Sequence, residues 1–145
     1  MEIREAVNED LEQLLRLFTQ LNDNTMPEFD RDLESIWNMV LSDKDQHLLV
    51  GVADGLIVST CVVIIVQNLT HDQRPYALIE NVVTHQAYRN RGYGTQMLDH
   101  AKQIALKENC YKISLLTGSK QESTLNFYRN AGYNSNDKTA FIQWL

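Results

Sequence analysis

The chain has 145 residues, 43% of them hydrophobic and 22% charged, with a formal net charge of −6; this fits one soluble globular domain large enough to bury a core. The acidic balance argues against wholesale binding to nucleic acid or an anionic membrane, and the longest apolar run, Leu56–Val66, contains Ser59 and Thr60 and is too short to span a bilayer. No charged-then-apolar signal segment opens the sequence, and Cys61 and Cys110 both fall in strand-like runs, so free buried thiols and a cytoplasmic location are the expectation.

Residues 2–6 read as a short first strand. Asn8 then suits the cap of a helix whose apolar positions Leu11, Leu14, Leu15, Phe18 and Leu21 follow helical spacing. Residues 22–27 break that pattern, and a second helix over about residues 28–41 carries Leu33, Ile36, Trp37, Val40 and Leu41 on one stripe. Residues 46–53 and 56–67 are β-rich, and Asp54-Gly55 between them is a strong hairpin signal. A polar turn, residues 68–75, leads into a third strand over residues 76–84.

Next comes Arg89-Asn90-Arg91-Gly92-Tyr93-Gly94, between that strand and a helix-periodic stretch beginning near Thr95. A Gly-rich turn from strand into helix aims several backbone N–H groups at one point, where the helix N-terminus adds partial positive charge. This is the physical recipe for holding a phosphate or pyrophosphate. The two arginines add fixed positive charge. Met97, Leu98, Ala101, Ile104 and Ala105 then line the helix's apolar face, and residues 111–117 form a strand parallel to residues 79–84. Ser119-x-x-Glu122 predicts a capping box for a short helix that Gly132 terminates. The tail, residues 133–145, is expected to end in a strand containing Phe141, Ile142 and Trp144. The expected architecture is a single α/β domain over residues 1–145, with a mixed, mostly antiparallel central sheet flanked by helices.

This order of elements and two of its motifs resemble the GNAT superfamily of acetyl-CoA-dependent N-acetyltransferases over essentially the whole chain. The family's Gln/Arg-x-x-Gly-x-Gly/Ala turn is matched by Arg89, Gly92 and Gly94, and its Phe-Tyr-x-x-x-Gly-Phe/Tyr segment by Phe127, Tyr128, Gly132 and Tyr133. The resemblance implies a GNAT fold and acetyl-CoA as acyl donor; His47, His71 and His100 are scattered without paired metal-ligand spacing, so no metal is expected. It implies that the amides of Asn90, Arg91, Gly92, Tyr93, Gly94 and Thr95 hold the coenzyme A pyrophosphate, with Arg89 beside them. The backbone of Val82, Val83 and Thr84 would pair with the pantetheine arm like an added strand. The chain departs from the pattern at His85, where many members have Pro, and at Gln121 and Thr124, where many have Asn and Ala; Gln121 keeps an amide that can reach the cofactor. A weaker likeness, to the glucosamine-phosphate N-acetyltransferases, rests on Ile79-Glu80-Asn81-Val82-Val83 and Cys110-Tyr111-Lys112-Ile113.

Acetyl transfer to an amine requires removal of a proton from an ammonium and support for the departing thiolate. The resemblance implies Glu80 as the base and Tyr128 as the proton donor to sulfur. Glu80 stands in an otherwise apolar strand, where an enclosed carboxylate is costly; a structural ion pair or an anchor for the substrate cation are its other readings. Tyr128 also suits a core aromatic. His85 reads as a satisfied loop histidine, and Cys110 has little support as a nucleophile.

The acceptor site is expected from the first two helices, residues 22–27 and the turn at 68–75. Asp23, Glu28, Asp30 and Asp32 make part of it acidic, which the helix dipole alone would explain. The expected reaction is acetyl transfer to a small-molecule primary amine. A protein lysine or N-terminal acetyltransferase and a non-catalytic acyl-CoA-binding module are the alternatives, and a homodimer is left open. No Gly-Lys-Ser/Thr follows the turn as in a P-loop, and the third glycine of a Rossmann motif is absent.

Overall fold

Alternating side chains dictate the centre of the molecule. In the computed structural model, which describes residues 1–21 and 24–145, five strands form one sheet in sequential order. They are β1 (Glu2–Glu5), β2 (Gln46–Ala53), β3 (Leu56–Val66), β4 (Tyr76–Thr84) and β5 (Ile113–Leu115). Neighbours from β1 to β4 are antiparallel, and β5 joins β4 in parallel. The helices are α1 (Leu11–Phe18), α2 (Arg31–Ser42), α3 (Tyr93–Lys107) and α4 (Glu122–Asn130). Asp54 and Gly55, at φ 54° and 76°, make the two-residue turn from β2 to β3, the left-handed pair that hairpin twist favours.

Leu48, Val50 and Val62 face one helical layer, under Leu14 and Leu17 of α1 and Trp37 of α2. Leu49, Cys61, Val63 and Ile65 face the other, under Met97, Leu98, Ala101 and Ala105 of α3, with Phe127 and Tyr128 of α4 packed against it. The sheet is the middle of three layers. This is the mixed α/β architecture expected from the sequence.

β4 changes sides partway along. Ile79 belongs to the α3 core and Val83 to the α1 core, although residues four apart on a regular strand share a face. A bulge is the cause: Thr60 pairs with Val83 and Val62 with Glu80, so Cys61 opposes both Asn81 and Val82. Asn81 adopts φ 52°, a left-handed conformation in which asparagine is enriched.

Several local expectations are corrected. Asn8 does not cap α1: the helix is entered through a 3-10 turn, Asn8–Asp10, and Asn8 Oδ1 accepts from Trp37 Nε1 at 3.1 Å, tying α2 to the entry. α2 starts at Arg31 because Asp30 caps it, accepting from the Leu33 N–H at 2.9 Å. Of its stripe Trp37 is buried, but Ile36 is exposed. β5 keeps only three residues of the strand expected over 111–117. The capping box is absent, since Gln121 precedes α4 without a side-chain cap and Glu122 instead accepts from Arg129 Nη1 at 2.6 Å. The other end of α4 is as expected: Gly132 takes φ 90°, and the N–H groups of Gly132 and Tyr133 donate to Arg129 and Tyr128 carbonyls. The tail beyond Tyr133 forms no strand within the chain.

Candidate active site

β4 and β5 pair only from Ala77 and Ile113 to Ile79 and Leu115. Past that point they part, and a cleft of about 830 Å³ opens between them. Glu80, Val82, Val83 and Thr84 line one wall, and Leu116 and Thr117 face them. Arg89, Asn90, Gly92, Tyr93, Gly94 and Thr95 form one end, while Gln121 and Tyr128 enter from α4. One sequence-predicted site residue stands apart: Arg91 donates to the Ala87 carbonyl at 3.3 Å and its guanidinium sits 4.8 Å over the Tyr88 ring.

The turn delivers what its glycines promise. Gly92, at φ 75°, is the N-cap of α3, and its carbonyl accepts from the Gln96 N–H at 3.0 Å. The N–H groups of Tyr93, Gly94 and Thr95 come before that first helical bond and have no intrahelical partner. No side chain caps them. Asn90 is also left-handed, at φ 61°, so the peptide groups before the helix curve into a concave nest. Arg89 Nε donates to the Thr84 carbonyl at 3.1 Å, fastening the end of β4 to the turn.

The two motifs touch each other. A Cβ on Gly94 would lie 3.0 Å from Phe127 Cζ and 3.5 Å from Thr84 Oγ1. Gly94 therefore lets α4 close against the start of α3, which carries the neighbouring Tyr128 to the cleft. On the β4 side, buried Ser59 donates to the Val83 carbonyl at 3.1 Å and accepts from Thr84 Oγ1 at 2.9 Å. β3 thus holds one edge of residues 82–84, and the cleft is open on the other.

Tyr128 is half-buried, and burial, with a smaller effect from Cys61, raises its phenol above the ordinary value of 10. Cys61 lies fully buried, its thiol pushed up to about 12 mainly by that burial. Tyr133, edge-on to Tyr128 at 6.3 Å between ring centroids, is likewise pushed up to about 12. Both phenols keep their protons across any physiological range.

Glu80 corrects the reasoning that selected it. The bulge leaves Glu80 and Asn81 exposed side by side at the cleft, so water solvates the carboxylate and the burial argument does not apply. It remains a charged acceptor facing the space beside the β4 edge. Cys61 and Cys110 are both free and buried, as expected. His85 Nδ1 accepts from the Ala87 N–H at 3.2 Å, which fits the satisfied loop histidine.

The acceptor side differs from expectation. Gln20 and Leu21, just after α1, line the cleft. The turn at 68–75 lies at the far end of β4, where Arg74 donates to the carbonyls of Asn109 and Cys110 at 3.1 and 3.0 Å. It contributes nothing to the cleft. Asp23 lies outside the described residues, and Asp30 is accounted for by capping α2. Sequence reasoning missed Asn81, Tyr88 and Ser119 in the lining; the Glu80-Asn81 pair, two polar residues in succession inside a strand, was the available sign of a bulge.

Comparison with known proteins converges on one group. The family model described as "Acetyltransferase (GNAT) family" matches residues 8–133. A solved chain from Agrobacterium tumefaciens, provisionally named an acetyltransferase, is 35% identical, with 99% of this chain and 100% of that chain covered and a TM-score of 0.92. A chain from Bacillus halodurans named a transcriptional regulator is 26% identical, with 99% of each chain covered and a TM-score of 0.86. The glucosamine-6-phosphate N-acetyltransferase of Arabidopsis thaliana is 21% identical over 99% of this chain and 97% of that one, with a TM-score of 0.86; at that identity the likeness is one of fold.

Proposed function

The chain belongs to the GNAT family of acetyltransferases, and from that premise we propose that it moves acetyl from acetyl-CoA to a primary amine of a small molecule, by direct attack in a ternary complex. The observation that carries the proposal is the continuity of the cleft. An open strand edge at residues 82–84 runs to a nest of free N–H groups at residues 92–95, with Glu80 and Tyr128 both on its walls.

That sequence of surfaces fits an extended, phosphate-bearing thioester. The N–H groups of Tyr93, Gly94 and Thr95, backed by the α3 dipole, suit a pyrophosphate. The free edge of β4 offers alternate main-chain donors and acceptors to an amide-containing arm. When bound, acetyl-CoA supplies an acetyl group activated as a thioester.

The remaining chemistry falls to this chain. As a nitrogen–carbon bond forms and a carbon–sulfur bond breaks, one proton must leave nitrogen and one must reach sulfur. Glu80, directly or through water, accepts the first. Tyr128 donates toward the second. A phenol above 10 is a weaker acid than a thiol near ~8.5, so Tyr128 supports the sulfur chiefly by donating a hydrogen bond, with solvent completing the transfer.

The test is thiol release from acetyl-CoA with small amines, amino-sugar phosphates and peptides in parallel. Release with a small amine and none with peptides is expected. Release with peptides alone would move the acceptor class to proteins. Coenzyme A binding with no release for any amine would favour the non-catalytic reading.

A further inference from the structure

Charge is unevenly placed in the cleft. Among its described lining residues only Arg89 and Glu80 are charged, and along the chain they fall on opposite sides of the open strand edge at residues 82–84. Arg89 belongs to the donor end, where its Nε is fastened to the Thr84 carbonyl. Glu80 is exposed, and among the described residues no ion pair engages its carboxylate. Gln20 brings a neutral carboxamide, its Oε1 accepting from the Gln86 N–H at 2.8 Å, and α1 ends just before it with the partially negative end of its dipole toward the cleft. A cation entering beside Glu80 is attracted. An anion carried in with it would be repelled, and no described cation stands there to pair with it.

The residue next to Glu80 carries a second signal. Asn81 is the supernumerary residue of the β4 bulge and holds φ 52°. Glycine adopts that conformation without steric cost, so the backbone alone gives no reason for a side chain. Asparagine supplies a neutral carboxamide that is exposed on the cleft wall and has no hydrogen-bond partner among the described residues. Bulges re-aim side chains, and this one brings Glu80 and Asn81 to the same space.

Resting on the transfer reaction proposed above, we infer that the acceptor is an amine with a neutral hydroxyl beside the reacting nitrogen and no phosphate or carboxylate, and that Asn81 selects it. Glu80 faces the ammonium while Asn81 Nδ2 donates to the hydroxyl oxygen. A carboxamide both donates and accepts, so a hydroxyl can satisfy it in two ways. The likeness of fold to the glucosamine-6-phosphate enzyme does not extend to a phosphate site beside Glu80.

Three amines on a six-membered ring separate these terms: glucosamine, glucosamine 6-phosphate and cyclohexylamine. Each is titrated at equilibrium into the full chain saturated with coenzyme A. The readout is binding, so a chain that releases no thiol with any amine loses the catalytic reading while the selectivity is still measured. Glucosamine should bind at least roughly tenfold more tightly than either of the other two. Asn81→Gly suits the left-handed backbone and removes only the carboxamide. It should bring glucosamine within roughly threefold of cyclohexylamine, with an unchanged circular dichroism spectrum. Glu80→Gln removes the repulsion and should bring glucosamine 6-phosphate within roughly threefold of glucosamine. Tighter binding of the phosphate by the unchanged protein overturns the proposal, as does equal binding or no binding of the three amines. A preference for glucosamine over cyclohexylamine that survives Asn81→Gly would overturn it too.

Discussion

Two glycines in this chain share a backbone strain but differ in place, and they allow the pyrophosphate nest to be tested against simple destabilisation. Gly92 has φ 75° and Gly55 φ 76°. A Cβ at Gly55 meets nothing within 4 Å, and one at Gly92 meets only Gln96 Nε2 at 4.0 Å. Gly92→Ala and Gly55→Ala therefore add no clash, only a left-handed alanine costing roughly 1–2 kcal/mol. About 0.4–1 kcal/mol of that is returned through the stiffer unfolded chain. Each variant should lose on the order of 1 kcal/mol, or a few degrees in Tm for a domain of this size. Their effects on the cleft should diverge. Around Gly92 the strain relaxes by rotating the peptides that aim the Tyr93 and Gly94 N–H groups, and each charge-assisted hydrogen bond weakened there is worth about 1.5–3 kcal/mol. Coenzyme A affinity in Gly92→Ala should fall at least tenfold, about 1.4 kcal/mol, while Gly55→Ala binds normally. Isothermal titration with both variants is the assay. Normal affinity in a folded Gly92→Ala would refute the nest, and equal losses in both would assign the effect to global stability.

Three further outcomes are expected. Tyr128→Phe should lower turnover by roughly 10- to 100-fold, the scale of a lost hydrogen bond to a charged group, with coenzyme A affinity nearly unchanged in titration; equal turnover would return Tyr128 to core packing. Glu80→Gln should slow turnover roughly 100-fold or more with the acceptor's KM little changed, whereas a rise in the acceptor's KM alone would make Glu80 an anchor and a change in Tm alone would make it structural. Asp10, buried, accepts from Arg4 at 2.6 and 2.9 Å and from the Val7 N–H at 2.8 Å, and the Arg4 guanidinium above all holds its carboxyl below the ordinary value of 3.8. Because the folded carboxyl is the stronger acid, this stability is present above the ordinary value and is lost as pH falls through the lowered one. Asp10→Asn should cost roughly 1–3 kcal/mol at neutral pH and flatten the acid limb of a Tm-against-pH curve.

The sequence made the Gly-rich end of the cleft legible because glycine is a local signal. A left-handed φ at residue 92 and a close approach at residue 94 leave marks in the residue types themselves. The hairpin at Asp54-Gly55 and the stop at Gly132 were readable for the same reason. What could not be read depends on partners distant in the chain. Glu80 looked enclosed because its neighbours are apolar, but the bulge opposite Cys61 exposes it beside Asn81, and the polar pair signals a bulge without saying what lies across the sheet from it. The turn at 68–75 looked available to an acceptor, yet Arg74 binds it to residues 109–110, more than thirty positions away. The tail has a strand's composition yet forms no strand within the chain, because composition does not supply the neighbouring edge that a strand needs.

The bulge at Asn81 makes β4 a ruler. Upstream of it the odd-numbered residues Ala77 and Ile79 supply the α3 core, and downstream Val83 supplies the α1 core. The phase between those two sets is fixed by one supernumerary residue opposite Cys61. Substitutions along residues 80–84 alter what the cleft presents, whereas a single deletion would swap the allegiance of every later side chain in the strand and carry Thr84, and with it the anchor of Arg89, to the wrong side. For this segment the number of residues is the constrained quantity and their identities are the adjustable one, so point substitutions can change what the cleft presents while the strand keeps its register.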